Sequence, residues 1–499
     1  MATHSSVNEK KTENKKKRNF KSLWIILAFA VLIIITMLPN DGSVLPVAGQ
    51  RALAILAFAV IMWVTEAVSY PISSAMIIAL IAVLLGLAPS LEDPGATMGT
   101  NAALKLALGG FSSSSVALVA AALFLAAAMQ VTNLHKRLAL WILSMVGTKT
   151  KSIVFGAILV SIVLAFFVPS ATARAGAVIP ILIGIVAAFG LTNESKLAAL
   201  LVITATQAVS IWNIGIKTAA AQNLVALGFI NSEFGIDVTW LQWFIYAAPV
   251  SIIMSIALFF IMIKLIKPET NNIEGGKEII KQQLHELGPL KRREITLITT
   301  SVILLFLWAT EGILHPFDTT TVTIVAIAFL LTPKIGVFSW KEASGRIDWG
   351  TIIVFAVGIS LGTVLLDTDG ASWLSDTVFG SLGLDSMPIL ATIALVTIFN
   401  ILIHLGFASA TSLASALIPV FIALSATLDV NQIGFVLIQQ FVICFGFLLP
   451  ISAPQNMLAY GTGAFTTKDF LKSGIPLTIL GYLLILLFSA TYWKWIGLL

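Results

Sequence analysis

An all-α polytopic membrane protein is the fold class this sequence predicts, and three observations carry the prediction. Of 499 residues, 58% are hydrophobic and only 11% charged, where a soluble domain carries about 25% charged residues. The apolar residues fall into runs near the length of about 20 that crosses a bilayer as helix. The charge is placed by position: 29 basic and 24 acidic residues give +5, and the segment Met1–Lys21 holds seven basic ones against Glu9 and Glu13, so the remainder balances at 22 against 22. This excludes an ordinary soluble fold, disorder, collagen and a disulfide-stapled module, the last because Cys444 is the single cysteine. The positive excess belongs to the tail and accompanies no base-reading motif, so no nucleic-acid partner is expected.

The basic tail, residues 1–22, leads into the apolar stretch Leu23–Leu38, closed by Pro39. A signal peptide would begin similarly, but this polar lead is long and no small-x-small cleavage site follows. The stretch reads as a retained first span with the tail in the cytoplasm; binding of the tail to anionic lipid is the alternative to a pure topology signal. Ten further spans read as 51–68, 70–89, 113–132, 198–229, 243–266, 295–314, 318–333, 350–367, 432–450 and 473–493, eleven in all. The span 198–229 is too long for one crossing and is interrupted by Asn213, Gly215 and Lys217. The loop Lys264–Arg293 carries seven basic residues and reads as cytoplasmic. Six spans from a cytoplasmic start return there, and five more put the C-terminus outside.

Two apolar stretches remain, 153–190 and 387–424, each with a polar break, at Pro169–Thr172 and Ser409–Ser412. They read as two re-entrant helical hairpins; a pair of short ordinary spans each is the alternative, and it leaves the termini in place. The breaks resemble one another. The segment Ser170–Pro180 shares Ser-Ala-Thr, two later alanines and Ile-Pro with Ser409–Pro419, at an offset of 239. A second pair, Ala220-Ala221-Gln222-Asn223 and Ala453-Pro454-Gln455-Asn456, lies at an offset of 233. Two ordered pairs at nearly one offset indicate a duplication. Each half holds five spans and a hairpin, an odd count of crossings, so the halves are inverted. Inverted repeats with broken elements mark secondary transporters, because irregular backbone at membrane depth is tolerated only where it lines a polar cavity or faces a ligand.

A break between helical arms exposes N–H groups at the start of the second arm, which attract anions. Ser170, Thr172, Ser409 and Thr411 add hydroxyls there, and Asn223 and Asn456 add amides. Two half-sites facing each other suit a ligand with a carboxylate at each end; helix capping is the structural alternative for the hydroxyls. Arg174, Lys217 and His404 lie close to these motifs. An ionised side chain at mid-bilayer costs about 2.5–3.5 kcal/mol or more, and a bound dianion would offset it; snorkelling, an ion pair or neutral packing is the alternative, most of all for His404. There is no H-E-x-x-H, G-x-S-x-G, Walker A or Cys/His metal cluster, and of Asp348, Asp367 and Asp369 two flank their span, so no enzyme, cofactor or metal site is expected.

These residues resemble the divalent anion–sodium symporter family of di- and tricarboxylate carriers over nearly the whole chain after the tail. Met62-Trp63-Val64-Thr65-Glu66-Ala67 with Pro71 is similar to the family's second-span motif, and Asn133–Ala139 to the cationic end of its fourth helix. The Ser-Ala-Thr pair stands where the family has Ser-Asn-Thr at its hairpin tips, and Ala453–Asn456 with Gly461-Thr462-Gly463 where it has a Pro-Pro-Asn segment. The resemblance implies a homodimer of elevator-type protomers, with scaffold at 23–150 and 294–385, transport domain at 151–266 and 386–499, and a cytoplasmic loop at 267–293. It places Ser170, Ala171 and Thr172 on one carboxylate site, Ser409, Ala410 and Thr411 on the other, and Asn223 and Asn456 at the broken helices.

The departures shape the functional expectation. The tip asparagines of the sodium-coupled members stand here as Ala171 and Ala410, so two oxygen ligands for a hard cation are missing. Arg174 within Ser-Ala-Thr-Ala-Arg-Ala-Gly is similar to the 2-oxoglutarate/malate translocator branch, which exchanges dicarboxylates without sodium. The expectation is a sodium-independent dicarboxylate exchanger of the bacterial plasma membrane, with Arg174, Lys217 and His404 as charge-balancing candidates. A sodium-coupled symporter is the runner-up; an inorganic-ion carrier and an intramembrane enzyme are weaker alternatives.

Overall fold

The computed structural model describes residues 21–499 apart from 92, 94, 148, 271–275, 381–382 and 385–386. The expected basic tail thus lies, but for its last two residues, outside the described residues. No strand occurs among the described residues. The helices are α1 (Lys21–Met37), α2 (Val47–Thr65), α3 (Tyr70–Leu80, prolonged by a π-turn Ile81–Leu85), α4 (Thr100–Gly109), α5 (Ser114–Thr132), α6 (Leu134–Met145), α7 (Thr150–Phe167) and α8 (Ala171–Ala188). They continue as α9 (Lys196–Gly215), α10 (Ala221–Phe234), α11 (Trp240–Leu265), α12 (Gly276–Glu286), α13 (Arg292–Ala309), α14 (Thr319–Leu331), α15 (Trp340–Ser344) and α16 (Trp349–Asp367). The last are α17 (Gly370–Phe379), α18 (Ile389–His404), α19 (Ala410–Ser425), α20 (Gln432–Ile443), α21 (Pro454–Tyr460), α22 (Thr467–Ala490) and α23 (Tyr492–Trp495).

Eight of the described helices are long and apolar enough to cross a membrane, and six shorter apolar ones accompany them. A helix pairs all its interior backbone groups within itself, the condition for an apolar run in lipid. Each expected hairpin stretch is helix, bend, helix: α7 and α8 flank Val168–Ser170, and α18 and α19 flank Leu405–Ser409. The long span 198–229 is α9 and α10 on either side of a 3₁₀ turn at Lys217–Ala219. The expected span 432–450 is corrected: α20 stops at Ile443, a 3₁₀ turn occupies Pro450–Ser452, and α21 starts at Pro454. Pro450 and Pro454 bring no N–H to a continuing helix. The cationic Asn133–Ala139 segment does not end a helix either. Asn133 takes a left-handed conformation (φ 57°) and α6 begins after it. Asp369, between α16 and α17, repeats that conformation at φ 59°. Its separation from Asn133 falls between the two motif offsets.

The chain divides into two compact units. One comprises Met1–Ser113, Trp349–Asp385 and Ser415–Thr427. Within it α16 packs on α3 and α4, and Gly110 donates its N–H to Ser360 Oγ at 2.9 Å. A Cβ at Gly110 would stand 2.0 Å from the Ala356 carbonyl oxygen, so only glycine permits this approach. The other unit comprises Ser114–Asp348, Ser386–Ala414 and Leu428–Leu499. Its centre is α9, buried from Leu197 to Gly215 on every face and packed by α7, α8 and α11. All the candidate site residues lie in this second unit.

Candidate functional site

The first tip is built by capping. Pro169 ends the approach, and Ser170 sits in extended backbone with its Oγ accepting the Ala173 N–H at 3.2 Å. Ser409 caps α19 in the same way, its Oγ accepting the Ser412 N–H at 3.3 Å. The two serine oxygens therefore satisfy orphan donors of the first turn. Thr172 is exposed and Thr411 half-buried, and neither hydroxyl has a protein partner among the described residues. Ala171 and Ala410 are half-buried and open the second arms.

The breaks of the two crossing elements share one construction. Asn223 Nδ2 donates to the Asn213 and Ile216 carbonyls at 2.7 and 3.1 Å, ten and seven positions back. Asn456 Nδ2 donates to the Gly446 and Leu449 carbonyls at 2.7 and 3.3 Å, again ten and seven back. Each amide takes up carbonyls that the interrupted helix leaves orphaned. The elements are then joined crosswise. Gln440 on α20 and the Cys444 thiol donate to Asn223 Oδ1 at 3.2 and 3.4 Å. Gln455 on α21 donates to Ser210 Oγ on α9 at 3.2 Å, and Gln207 on α9 donates to the Phe447 carbonyl at 3.0 Å. A Cβ at Gly474 of α22 would stand 2.1 Å from that same Phe447 oxygen. This glutamine network was missed in the sequence, although Gln207 and Gln440 stand at the same offset as Gln222 and Gln455; extending the Gln-Asn offset backwards would have found it.

The hairpins are tied to the breaks by their basic residues. Arg174, one turn past Ser170, is fully buried. Its Nη2 donates to Asn213 Oδ1 and, at 3.0 Å, to the Ala219 carbonyl. Its Nε and Nη1 have no partner, and no carboxylate pairs with it among the described residues. His404, at the end of α18, places Nε2 3.3 Å from the Ser452 carbonyl, leaving Nδ1 unpaired. Ala219 and Ser452 are themselves related by the offset of the Gln-Asn pair, so one base in each half holds the equivalent carbonyl. Lys217 does not join this arrangement: its Nζ donates to the Val238 carbonyl at 2.7 Å, in the loop before α11. The two tips share no hydrogen bond with each other among the described residues. No group of three or more metal-ligating side chains occurs among the described residues.

Residues 18–499 match the family described as sodium:sulfate symporter transmembrane region. A "membrane protein" of Cupriavidus necator is 50% identical over 475 residues, 95% of this chain and 92% of the relative. A sodium-dependent dicarboxylate transporter of Staphylococcus saprophyticus is 27% identical over 96% of this chain and 92% of its own length. A citrate/succinate antiporter of Escherichia coli K12 is 28% identical over 78% and 80%. Among solved structures, the YdaH transporter of Alcanivorax borkumensis shares the fold, with a TM-score of 0.51 at 16% identity, over 87% of this chain and 98% of that one.

Proposed function

From the premise that the chain belongs to the sodium:sulfate symporter family, multi-pass membrane transporters and not enzymes, we propose that it exchanges dicarboxylates across the bacterial plasma membrane without sodium. Arg174 carries this reading: a buried guanidinium, one turn from a hairpin tip, with two donor nitrogens unpaired and no counter-ion among the described residues. A buried charge without a partner is strongly unfavourable. A carboxylate at the tip supplies the missing charge, accepts the free N–H groups and meets the first turn of α8, where the Thr172 hydroxyl is also free. The second carboxylate meets the first turn of α19 at Ala410 and Thr411. Ser170 and Ser409 shape the tips as caps while their hydroxyl protons remain available.

The fixed cation takes the place of a co-bound sodium, for which Ala171 and Ala410 offer no side-chain oxygen. It also keeps the empty carrier charged at mid-membrane, which opposes return without a counter-substrate and makes exchange obligate. His404 and Lys217 are secondary contributors to that balance. The remainder of the proposal is eleven transmembrane helices plus two hairpins, a homodimer, elevator movement of the hairpin-bearing segments, a cytoplasmic N-terminus and an extracellular C-terminus.

Counterflow in proteoliposomes tests it. Vesicles loaded with succinate, malate or 2-oxoglutarate take up labelled succinate equally with and without sodium, and empty vesicles do not. Sodium-driven uptake into empty vesicles would instead support a coupled symporter, the second reading, which the staphylococcal relative's name favours. The name of the Escherichia coli relative favours exchange.

A further inference from the structure

A cavity with charged lining lies where α11 ends and α9 and α22 begin. It encloses about 590 Å³ and is lined by Lys196, Lys264, Lys267 and Lys472 against Glu194 and Asp469. Asp469 is already engaged: it closes the capping box of α22 with Thr466 and lies 3.5 Å from Lys472 Nζ. The nearby Glu269 carboxylate is held by the N-terminus of α9, accepting the Lys196 and Leu197 N–H groups at 2.7 and 3.0 Å. The four lysines thus outnumber the carboxylates Glu194, Asp469 and the adjacent Glu269 by one, with Lys264 and Lys267 making no close ion pair among the described residues.

The two helices at its mouth present apolar stripes outward. On α11, Ile252, Ile256 and Phe260 are 47%, 56% and 64% exposed; on α22, Ile475, Ile479, Leu483 and Leu487 are 48–55% exposed. The four-residue spacing keeps each stripe on one helix face, and the two helices pack against one another. Both helices are candidate membrane spans, so these stripes meet acyl chains in any case, and the lysines at their ends set cationic groups beside that lipid. An amphiphile with an anionic head and two acyl chains uses both.

We infer that Lys196, Lys264, Lys267 and Lys472 hold the headgroup of an anionic phospholipid whose acyl chains lie along α11 and α22. The inference is independent of the transport reading, because its measurement needs no substrate. The full-length protein is released from nanodiscs of mixed phosphatidylglycerol and phosphatidylcholine, and bound lipid is counted by native mass spectrometry. The wild-type chain retains phosphatidylglycerol in preference to phosphatidylcholine. The triple variant Lys196→Gln, Lys264→Gln, Lys267→Gln binds it about 100-fold more weakly, roughly fivefold per lysine. Lys264→Gln alone, expected to lose about fivefold, serves if the triple variant does not fold. Neutralising Lys10, Lys11 and Lys15–Lys17 leaves retention unchanged. The idea is overturned if the lysine variants retain the lipid as the wild type does, if the tail variant abolishes retention, or if glycerol phosphate without acyl chains displaces the lipid at equal concentration.

Discussion

Arg174 and Asn223 show how much depends on single side chains in this unit. The Arg174 guanidinium spends one nitrogen on the first broken element and keeps two unpaired. Arg174→Ala is expected to lower counterflow about 30-fold or more, since truncating a buried hydrogen-bonded charge costs about 2 kcal/mol or more. Arg174→Lys retains a point charge without the planar fork and should recover only part of the rate. Asn223 is bonded through both ends of its amide, whereas Asn456 Oδ1 has no partner. Asn223→Ala should therefore lower the thermal unfolding temperature more than Asn456→Ala, by the one or two further hydrogen bonds lost at about 1 kcal/mol each; equal shifts would contradict the asymmetry. Both asparagines and Arg174 were legible in the sequence as polar or charged residues inside apolar runs. Their partners were not. Ala219 and Ser452 contribute backbone carbonyls, and a backbone group carries no sequence signal. Lys217 illustrates the converse, since its place beside the motif did not reveal its bond to the Val238 carbonyl.

Helix ends, more than helix middles, organise the elements. The middles follow from unbroken apolar runs, which is why α2, α5, α11, α16 and α22 overlap expected spans, whereas α7 and α8, each long enough to cross, fall in the stretch expected as a re-entrant hairpin. The short helices α4, α6, α12, α15 and α17 were not anticipated, because none is a long apolar run. The resemblance placed a broken helix at Asn456, but hydropathy alone ran the span 432–450 through the break, because Phe445, Phe447, Leu448 and Leu449 keep the segment apolar while glycine and proline interrupt its backbone. At the start of α9, Ser195 caps and Glu269 adds a carboxylate. Partial burial pushes the Glu269 carboxyl up, but the Lys196 and Leu197 N–H groups and the Lys196 charge together hold it below its ordinary 4.5. A depressed folded value means the stabilisation is fully present above the unfolded value near 4.5 and is lost as pH falls through the folded one. Glu269→Gln should lower thermal stability at pH 7, and the difference from wild type should shrink below about pH 4. A difference that persists unchanged at low pH would remove the carboxylate from this role.

For the whole molecule, the charge pattern yields an orientation that can be tested directly. The buried Cys444 is the single cysteine, so an introduced thiol reports with little background. Leu499→Cys should react with a membrane-impermeant maleimide applied to intact cells, and Gln282→Cys on α12 should react only after lysis. The reverse pattern would invert the proposed topology. The sequence alone was enough to establish a helical membrane protein and the family, because apolar run length, charge sign and motif order act locally along the chain and need no partner to be read. Only the tertiary structure decided that the two broken elements lock crosswise through glutamines, that Arg174 and His404 grip equivalent carbonyls, and that Lys217 turns elsewhere. Those outcomes depend on which buried donor reaches which acceptor in three dimensions, a choice that carries weight because an unpaired polar group in a low-dielectric core is costly.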